Sequence, residues 1–172
     1  DGFELTLDCP NDRYINDAKI AEALAQMLNR VGIAASVETM PKAVYFKRAS
    51  RGGPNKSPEF SFMLLGWGAG SGEASSPLKA LLHTYDKSKG LGAANRGRHS
   101  DAEVDKLVKK ALATVDSDAR GKLLAQATEK AVGENYGVIP MHYQVNTWAA
   151  KAGYKYLPRT DERTIVTGLS GN

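Results

Sequence analysis

Apolar and polar positions alternate in Phe3-Glu4-Leu5-Thr6-Leu7, which predicts a strand with one face in a core, because successive side chains along a strand point to opposite sides. Further on the spacing changes. Ile20, Leu24, Met27, Leu28 and Val31 recur at three- and four-residue intervals, the period of an amphipathic helix; Asn16 stands where a capping side chain is expected, and Gly32 where a helix closes. Ile33 to Thr39, centred on Val37, returns to a strand pattern. Strand, helix and strand in this order predict a βαβ unit whose two strands are parallel and joined by a right-handed crossover.

Pro41 opens a second predicted helix through Val44, Tyr45 and Phe46, and Arg51-Gly52-Gly53-Pro54-Asn55 predicts an exposed loop. Phe60 to Leu65 is a nearly continuous apolar run, the pattern of a strand covered on both faces, and is therefore expected at the centre of the sheet. From Gly66 to Ser76 the chain turns to Gly, Ala and Ser, a loop leaving the carboxyl end of that strand. Pro77 to His83 reads as a short helix and Asp86 to Arg98 as turns. Ser100 or Asp101 begins a helix with Val104, Leu107, Val108, Ala111, Leu112 and Val115 on one face; after Asp116-Ser117-Asp118 a second follows with Leu123, Leu124, Ala127 and Ala131 inward. Together they predict an antiparallel helical hairpin. Val138 to Trp148 reads as extended, and Lys151 to Asn172 as a tail or a connection to something absent. The pattern defines an α/β lobe with a mixed sheet.

At 172 residues, with 42% hydrophobic and 24% charged residues, the chain suits one domain with a proper core. The formal net charge of +4 comes from 23 basic against 19 acidic residues. The basic residues are scattered, with one loose cluster from Lys47 to Lys56 and no interleaved aromatic platform, so nucleic-acid binding is not expected. Cys9 stands alone, which excludes an internal disulfide, and no Cys/His spacing resembles a metal site. Apolar runs fall short of the ~20 residues that span a bilayer. The chain opens at Asp1 without an initiating Met and enters a strand at once, as a piece cut from a longer protein would, so the lack of a signal peptide says nothing of destination.

Gly66-Trp67-Gly68-Ala69-Gly70-Ser71-Gly72 raises the question of a phosphate loop, since glycines let backbone N–H groups approach an anion. No Lys-Ser/Thr follows, and Ser71 stands where a dinucleotide fingerprint starting at Gly66 needs its third glycine. A plain flexible loop and a loop lining a solute cleft are the other readings, and the last fits best. Ser71 is flanked at two residues by Ala69 and Glu73, not by the glycines of a nucleophile elbow. His83, His99 and His142 are far apart and no His-Glu-x-x-His occurs, which makes them surface or structural histidines. Asp101 and Asp105 fall on one helical face among lysines and read as a solvated pair. No catalytic residue, metal or cofactor is expected.

Read together, Gly2-Phe3-Glu4-Leu5-Thr6-Leu7, Arg13 to Asn16, Gly66-Trp67-Gly68, Asn95 to Ser100 and Ile139-Pro140-Met141-His142-Tyr143 resemble the peptide/oligopeptide/nickel class of extracytoplasmic solute-binding proteins that serve bacterial ABC transporters. The resemblance runs roughly from Asp1 to Thr167 and rests on order and spacing. Members of the class have two lobes that close on the ligand like a hinged trap. This chain is similar to the C-terminal one, so residues 1–157 are expected to form the ligand-binding lobe, and 158–172 a tail returning to the missing N-terminal lobe.

The resemblance also implies contacts. The segment like Gly66-Trp67-Gly68 borders the cleft in peptide binders, offering backbone groups to an extended peptide and an aromatic ring to a side chain; Trp67 could alternatively be a core residue after a buried strand. Arg13 stands near an arginine that meets the ligand carboxylate in dipeptide binders, a task suited to a guanidinium fork, or is a surface loop residue. Tyr143, with His142 and Gln144, matches a cleft-lining segment, unless those side chains simply face solvent. Where peptide binders commonly place an aspartate for the ligand's α-ammonium, this chain has Gly70, and Glu73 is the nearest acid in sequence.

The function so implied is that of a periplasmic substrate-binding component of an ABC importer, with a peptide or other small polar solute, a permease and the other lobe as partners, and no chemistry of its own. A sensory or chaperone-like binding module on the same fold is the alternative; a small α/β hydrolase using the glycine loop is a more distant one.

Overall fold

The computed structural model describes residues 2–70, 72–159, 161 and 163–171, and the chain forms two units, Asp1–Ile139 and Pro140–Asn172. In the first, β1 (Glu4–Pro10) pairs in parallel with β2 (Ala34–Met40), from Glu4 opposite Ala34 to Pro10 opposite Met40. Helix α1 (Asp17–Arg30) connects them, so the βαβ reading holds. Leu7 and Cys9 on β1 pack with Ala21 of α1 and with Leu64. On alternate positions Thr6 and Ser36 meet hydroxyl to hydroxyl at 3.1 Å, as the two-residue strand period requires.

Asn16 does not cap α1: it adopts a left-handed conformation and its side chain makes no capping hydrogen bond. Asp17, the first residue of α1, ties the preceding loop to the helix start instead. Its Oδ2 accepts from the backbone N–H groups of Arg13 at 2.9 Å and Tyr14 at 3.0 Å, both in the loop, and its Oδ1 from the Ala18 N–H at 2.9 Å. A carboxylate suits the positive end of the helix dipole. The buried stripe of α1 is Asp17, Ala21 and Ala25. These alanines let the helix lie close to the sheet, while Ile20 and Leu24 pack at its flanks, and Met27 and Val31 are 59% and 74% exposed.

The sheet is centred on β1, not on Phe60–Leu65. That segment runs parallel along the other edge of β1, where the Asp8 N–H donates to the Phe62 carbonyl at 3.0 Å and the Leu64 N–H to the Asp8 carbonyl at 2.9 Å. Its apolar side chains are divided between two clusters. Leu64 joins Leu7 and Cys9, whereas Phe60 joins Met40, Tyr45 and Ala49, the last two from α2 (Lys42–Arg51). The Tyr45 hydroxyl donates to the Leu64 carbonyl at 2.6 Å and ties α2 to the segment.

The rest of the first unit is helical. The short α3 (Ser75–Pro77) runs into a π-helical turn at Leu78–Leu82; α4 (Ala102–Ala113) and α5 (Ser117–Thr128) pack as the expected hairpin, and a further π-turn, Glu129–Glu134, extends α5. Asp101 caps α4 and Asp116 caps α5. Their shared core is Leu78, Leu82, Val104, Val108, Ala111, Leu124, Ala127 and Ala131. Leu112 and Val115 are exposed instead, Val115 because α4 has already ended. The turn-rich stretch before α4 is held by Asn95, whose amide reaches the carbonyls of His83 and His99.

The second unit holds a two-stranded antiparallel sheet of β3 (Tyr154–Tyr156) and β4 (Leu169–Gly171). Trp148 stacks near Tyr156, with ring centroids 5.8 Å apart, and its indole N–H donates to Thr164 Oγ1 at 2.9 Å. Among the described residues no helix is long and apolar enough to cross a membrane.

Candidate functional site

β1 and the Phe60–Leu65 segment run parallel, so the loops that follow them emerge at the same edge of the sheet, the place where open α/β sheets carry their ligand sites. The two loops are joined there. The Tyr14 hydroxyl donates to the Gly66 carbonyl at 3.2 Å, and the Tyr14 ring lies so close that a Cβ at position 66 would stand 2.6 Å from its Cε1. A larger residue at 66 would force the ring to shift. The Arg13 guanidinium carbon lies 4.8 Å from the centroid of the same ring, a cation–π distance.

Arg13, Gly66 and Trp67 therefore share one rim, with Tyr14 between them. Trp67 is 44% exposed, which rules out the core reading. Gly68 and Gly70 follow with open space where a side chain would stand, and Ser71 lies outside the described residues. Tyr14, the residue that assembles this rim, was not singled out by the sequence; an aromatic next to Arg13, directly after a strand, was the available signal.

Glu73 does not supply a free carboxylate in place of an acid at Gly70. Its Oε2 pairs with Arg120 Nε at 3.1 Å and its Oε1 accepts from Ser75 Oγ at 2.6 Å. The acids near Arg13 are also engaged: Asp12 accepts from the Lys42 N–H at 2.6 Å, and Asp17 holds the start of α1. The rim thus presents a cation, aromatic faces and open backbone.

His142, Tyr143 and Gln144 lie in the second unit, in a stretch without regular secondary structure. Tyr143 is 98% exposed and His142 is exposed too. Gln144 is half-buried and donates to Asn146 Oδ1 at 3.0 Å.

Other reactive groups serve the fold. Burial, reinforced by Asp17, pushes the Cys9 thiol up to about 12, which keeps it protonated and inert. His83 is buried, its Nδ1 2.8 Å from the Thr84 carbonyl oxygen and 3.2 Å from Asp105 Oδ1; His99 Nδ1 meets the Leu82 carbonyl at 2.9 Å. Asp101 and Asp105 are not a solvated pair: the first caps α4 and the second accepts the Thr84 N–H at 2.8 Å. Among the described residues no group of three His, Cys, Asp or Glu side chains could hold a metal ion.

A parallel βαβ core with a loop rim at the carboxyl edge is an arrangement in which open α/β sheets carry ligand sites. No protein-family model matches the chain. It is 35% identical over 164 residues to the dipeptide-binding protein of Pseudomonas aeruginosa PAO1, covering 92% of this chain and 29% of that one. It is likewise 35% identical over 130 residues to di/tripeptide-binding protein 1 of Pseudomonas aeruginosa UCBPP-PA14, covering 74% of this chain and 22% of that one. The chain thus spans less than a third of the length of these curated relatives. Among solved structures, HbpA2 from Haemophilus parasuis superposes with a TM-score of 0.75 at 22% identity, over 99% of this chain and 32% of that one. The chain is homologous to a fragment of the peptide/nickel class of ABC-transporter solute-binding proteins, and the fragment is consistent with their C-terminal lobe. Its α/β architecture is part of their two-lobe fold.

Proposed function

We propose that this chain is the C-terminal lobe of a periplasmic substrate-binding component of an ABC importer, which captures a peptide-like or other small polar solute by closure of two lobes and delivers it to a permease. The observation that carries this reading is the rim at the carboxyl edge of the sheet, where Tyr14 holds Arg13 and the Gly66-Trp67-Gly68 loop together in a chain related to dipeptide-binding proteins. Arg13 would receive the ligand carboxylate, Trp67 an apolar side chain, and the open backbone at Gly68 and Gly70 the peptide groups.

With Gly70 in the acidic position and Glu73 paired to Arg120, the rim favours a solute with an anionic end over one recognised by its free α-ammonium. Closure would remove the solute from water, which strengthens each polar contact, and the tighter-fitting closed state would be selected by the ligand. Exposed apolar residues of the second unit, among them Val145, Leu157, Val166 and Leu169, supply a surface of the kind a second lobe would cover.

Native mass spectrometry of the two-lobe protein, purified without denaturation, tests the assignment. A bound small solute that is released unchanged on unfolding is expected. A solute recovered as cleaved or transformed product would point to an enzyme instead.

A further inference from the structure

Away from the carboxyl rim, the sheet face carrying Thr6 and Ser36 holds a polar hollow of about 720 Å³, lined among others by Asp8, Glu38, Arg48 and Glu59. Glu4 and Ser61, which also line it, are exposed to solvent, and the remaining polar side chains are partnered with one exception. Arg48 donates through Nη1 to Glu38 Oε1 at 2.5 Å, and through Nε and Nη2 to Glu59 Oε1 at 3.0 and 2.6 Å. Thr6 and Ser36 bond each other. The Asp8 side chain is left: the residue is only 6% exposed, it lines the hollow, and among the described residues no donor reaches its carboxyl.

A carboxyl in a mostly buried residue, open only to the hollow and without a hydrogen-bond donor, is costly to ionise. Burial pushes the Asp8 carboxyl up to about 6; Glu38 adds to the rise, Arg48 opposes it and Glu59 adds again. Four carboxylates, Glu4, Asp8, Glu38 and Glu59, line the hollow with one guanidinium, so it keeps an excess of negative charge. What it lacks is a cationic donor.

We propose that this hollow is a second binding site, which takes a small organic cation, an alkylammonium or guanidinium group, on the Asp8 carboxylate. A hard divalent ion is a poor fit, since such ions need about six oxygen ligands and Glu38 and Glu59 are already held by Arg48. An ammonium asks for less: the Asp8 carboxylate supplies its charge partner, and Thr6 and Ser36, which line the same hollow, carry hydroxyl oxygens that can accept. The site lies on a sheet face and shares none of Arg13, Tyr14, Gly66 or Trp67, so it stands or falls apart from the solute rim.

The test is a carboxyl NMR titration of this chain with methylammonium chloride, matched at each point by sodium chloride of equal ionic strength. A saturable shift of the Asp8 carboxyl resonance with millimolar midpoint is expected. At ten times that concentration the Asp8 titration midpoint should fall by about one pH unit, the linkage of a cation that binds only the ionised form. Asp8→Asn should abolish the saturable response of the Thr6 and Ser36 amides while leaving the rest of the spectrum in place. A methylammonium response no larger than that of sodium, or one unchanged in Asp8→Asn, would overturn the assignment.

Discussion

The phenolic oxygen of Tyr14 donates to the backbone carbonyl of Gly66 at 3.2 Å, joining two loops that are far apart in sequence but follow neighbouring parallel strands. Removing that hydroxyl in Tyr14→Phe should cost about 0.5–1.5 kcal/mol, the net worth of one hydrogen bond. Gly66→Ala should cost more, about 1–3 kcal/mol, because its methyl group would meet the ring and force a shift. Denaturant melts of the three proteins rank them; Gly66→Ala at wild-type stability would show that the ring does not press on this loop.

Core substitutions separate the true packing face of the βαβ unit from the one periodicity alone picks out. Leu7→Ala, at a fully buried position of the central strand, should lose about 2–5 kcal/mol. Met27→Ala, at a solvent-facing position of α1, should stay within about 0.5 kcal/mol of wild type. Equal losses, again from denaturant melts, would mean that α1 is rotated from the position described.

The buried Asp8 carboxyl predicts a pH dependence of stability with a definite sign. Its folded value of about 6 lies above the ordinary carboxyl value, so the folded state prefers the protonated form. Stability from this group is therefore complete below about pH 4 and is lost as pH rises through about 6, by about 3 kcal/mol at about 1.4 kcal/mol per pH unit. Asp8→Asn should flatten that segment of the stability profile. An unchanged slope between pH 4 and 7 in the variant would place the titration elsewhere.

These residues also mark how far the chain could be read before its fold was in view. The βαβ unit and the helical hairpin were legible, because the hydrophobic period switches cleanly between strand and helix in Phe3–Thr39 and stays helical across Val104–Ala131. The sheet centre was not. β1 carries Glu4, Thr6 and Asp8 on its second face, and those polar positions mimic a half-exposed strand, while Phe60–Leu65 is apolar except at Ser61 because its side chains serve two separate clusters. The stripe of α1 was blurred by alanines, which register weakly as hydrophobic although Ala21 is fully buried. At the site, the glycine loop and Arg13 stood out by residue type. Tyr14 did not, since only the parallel pairing of their strands brings it to Gly66, and nothing near Glu73 in sequence announces its partner Arg120 on α5.

If Arg13 receives a ligand carboxylate, Arg13→Ala in the two-lobe protein should weaken an anionic solute by about 1.5–3 kcal/mol, the range for hydrogen bonds to a charged group. An uncharged analogue should be almost unaffected. Calorimetric titrations with a dipeptide and its C-terminal amide make the comparison, and equal losses for both would show that Arg13 acts through the loop rather than on the ligand.

Isothermal titration calorimetry with a panel of dipeptides, run on the 172-residue chain and on the two-lobe protein, tests the central claim most directly. One rim leaves a solute largely in water, whereas a closed site buries about 70–90% of a small ligand. If the two-lobe protein binds at about micromolar, near −8 kcal/mol, the loss of half that free energy leaves the single lobe at about millimolar. The account predicts that the chain alone folds yet shows no saturable heat at micromolar peptide, while the two-lobe protein does. Matching micromolar affinities would contradict it and place a complete site within this chain.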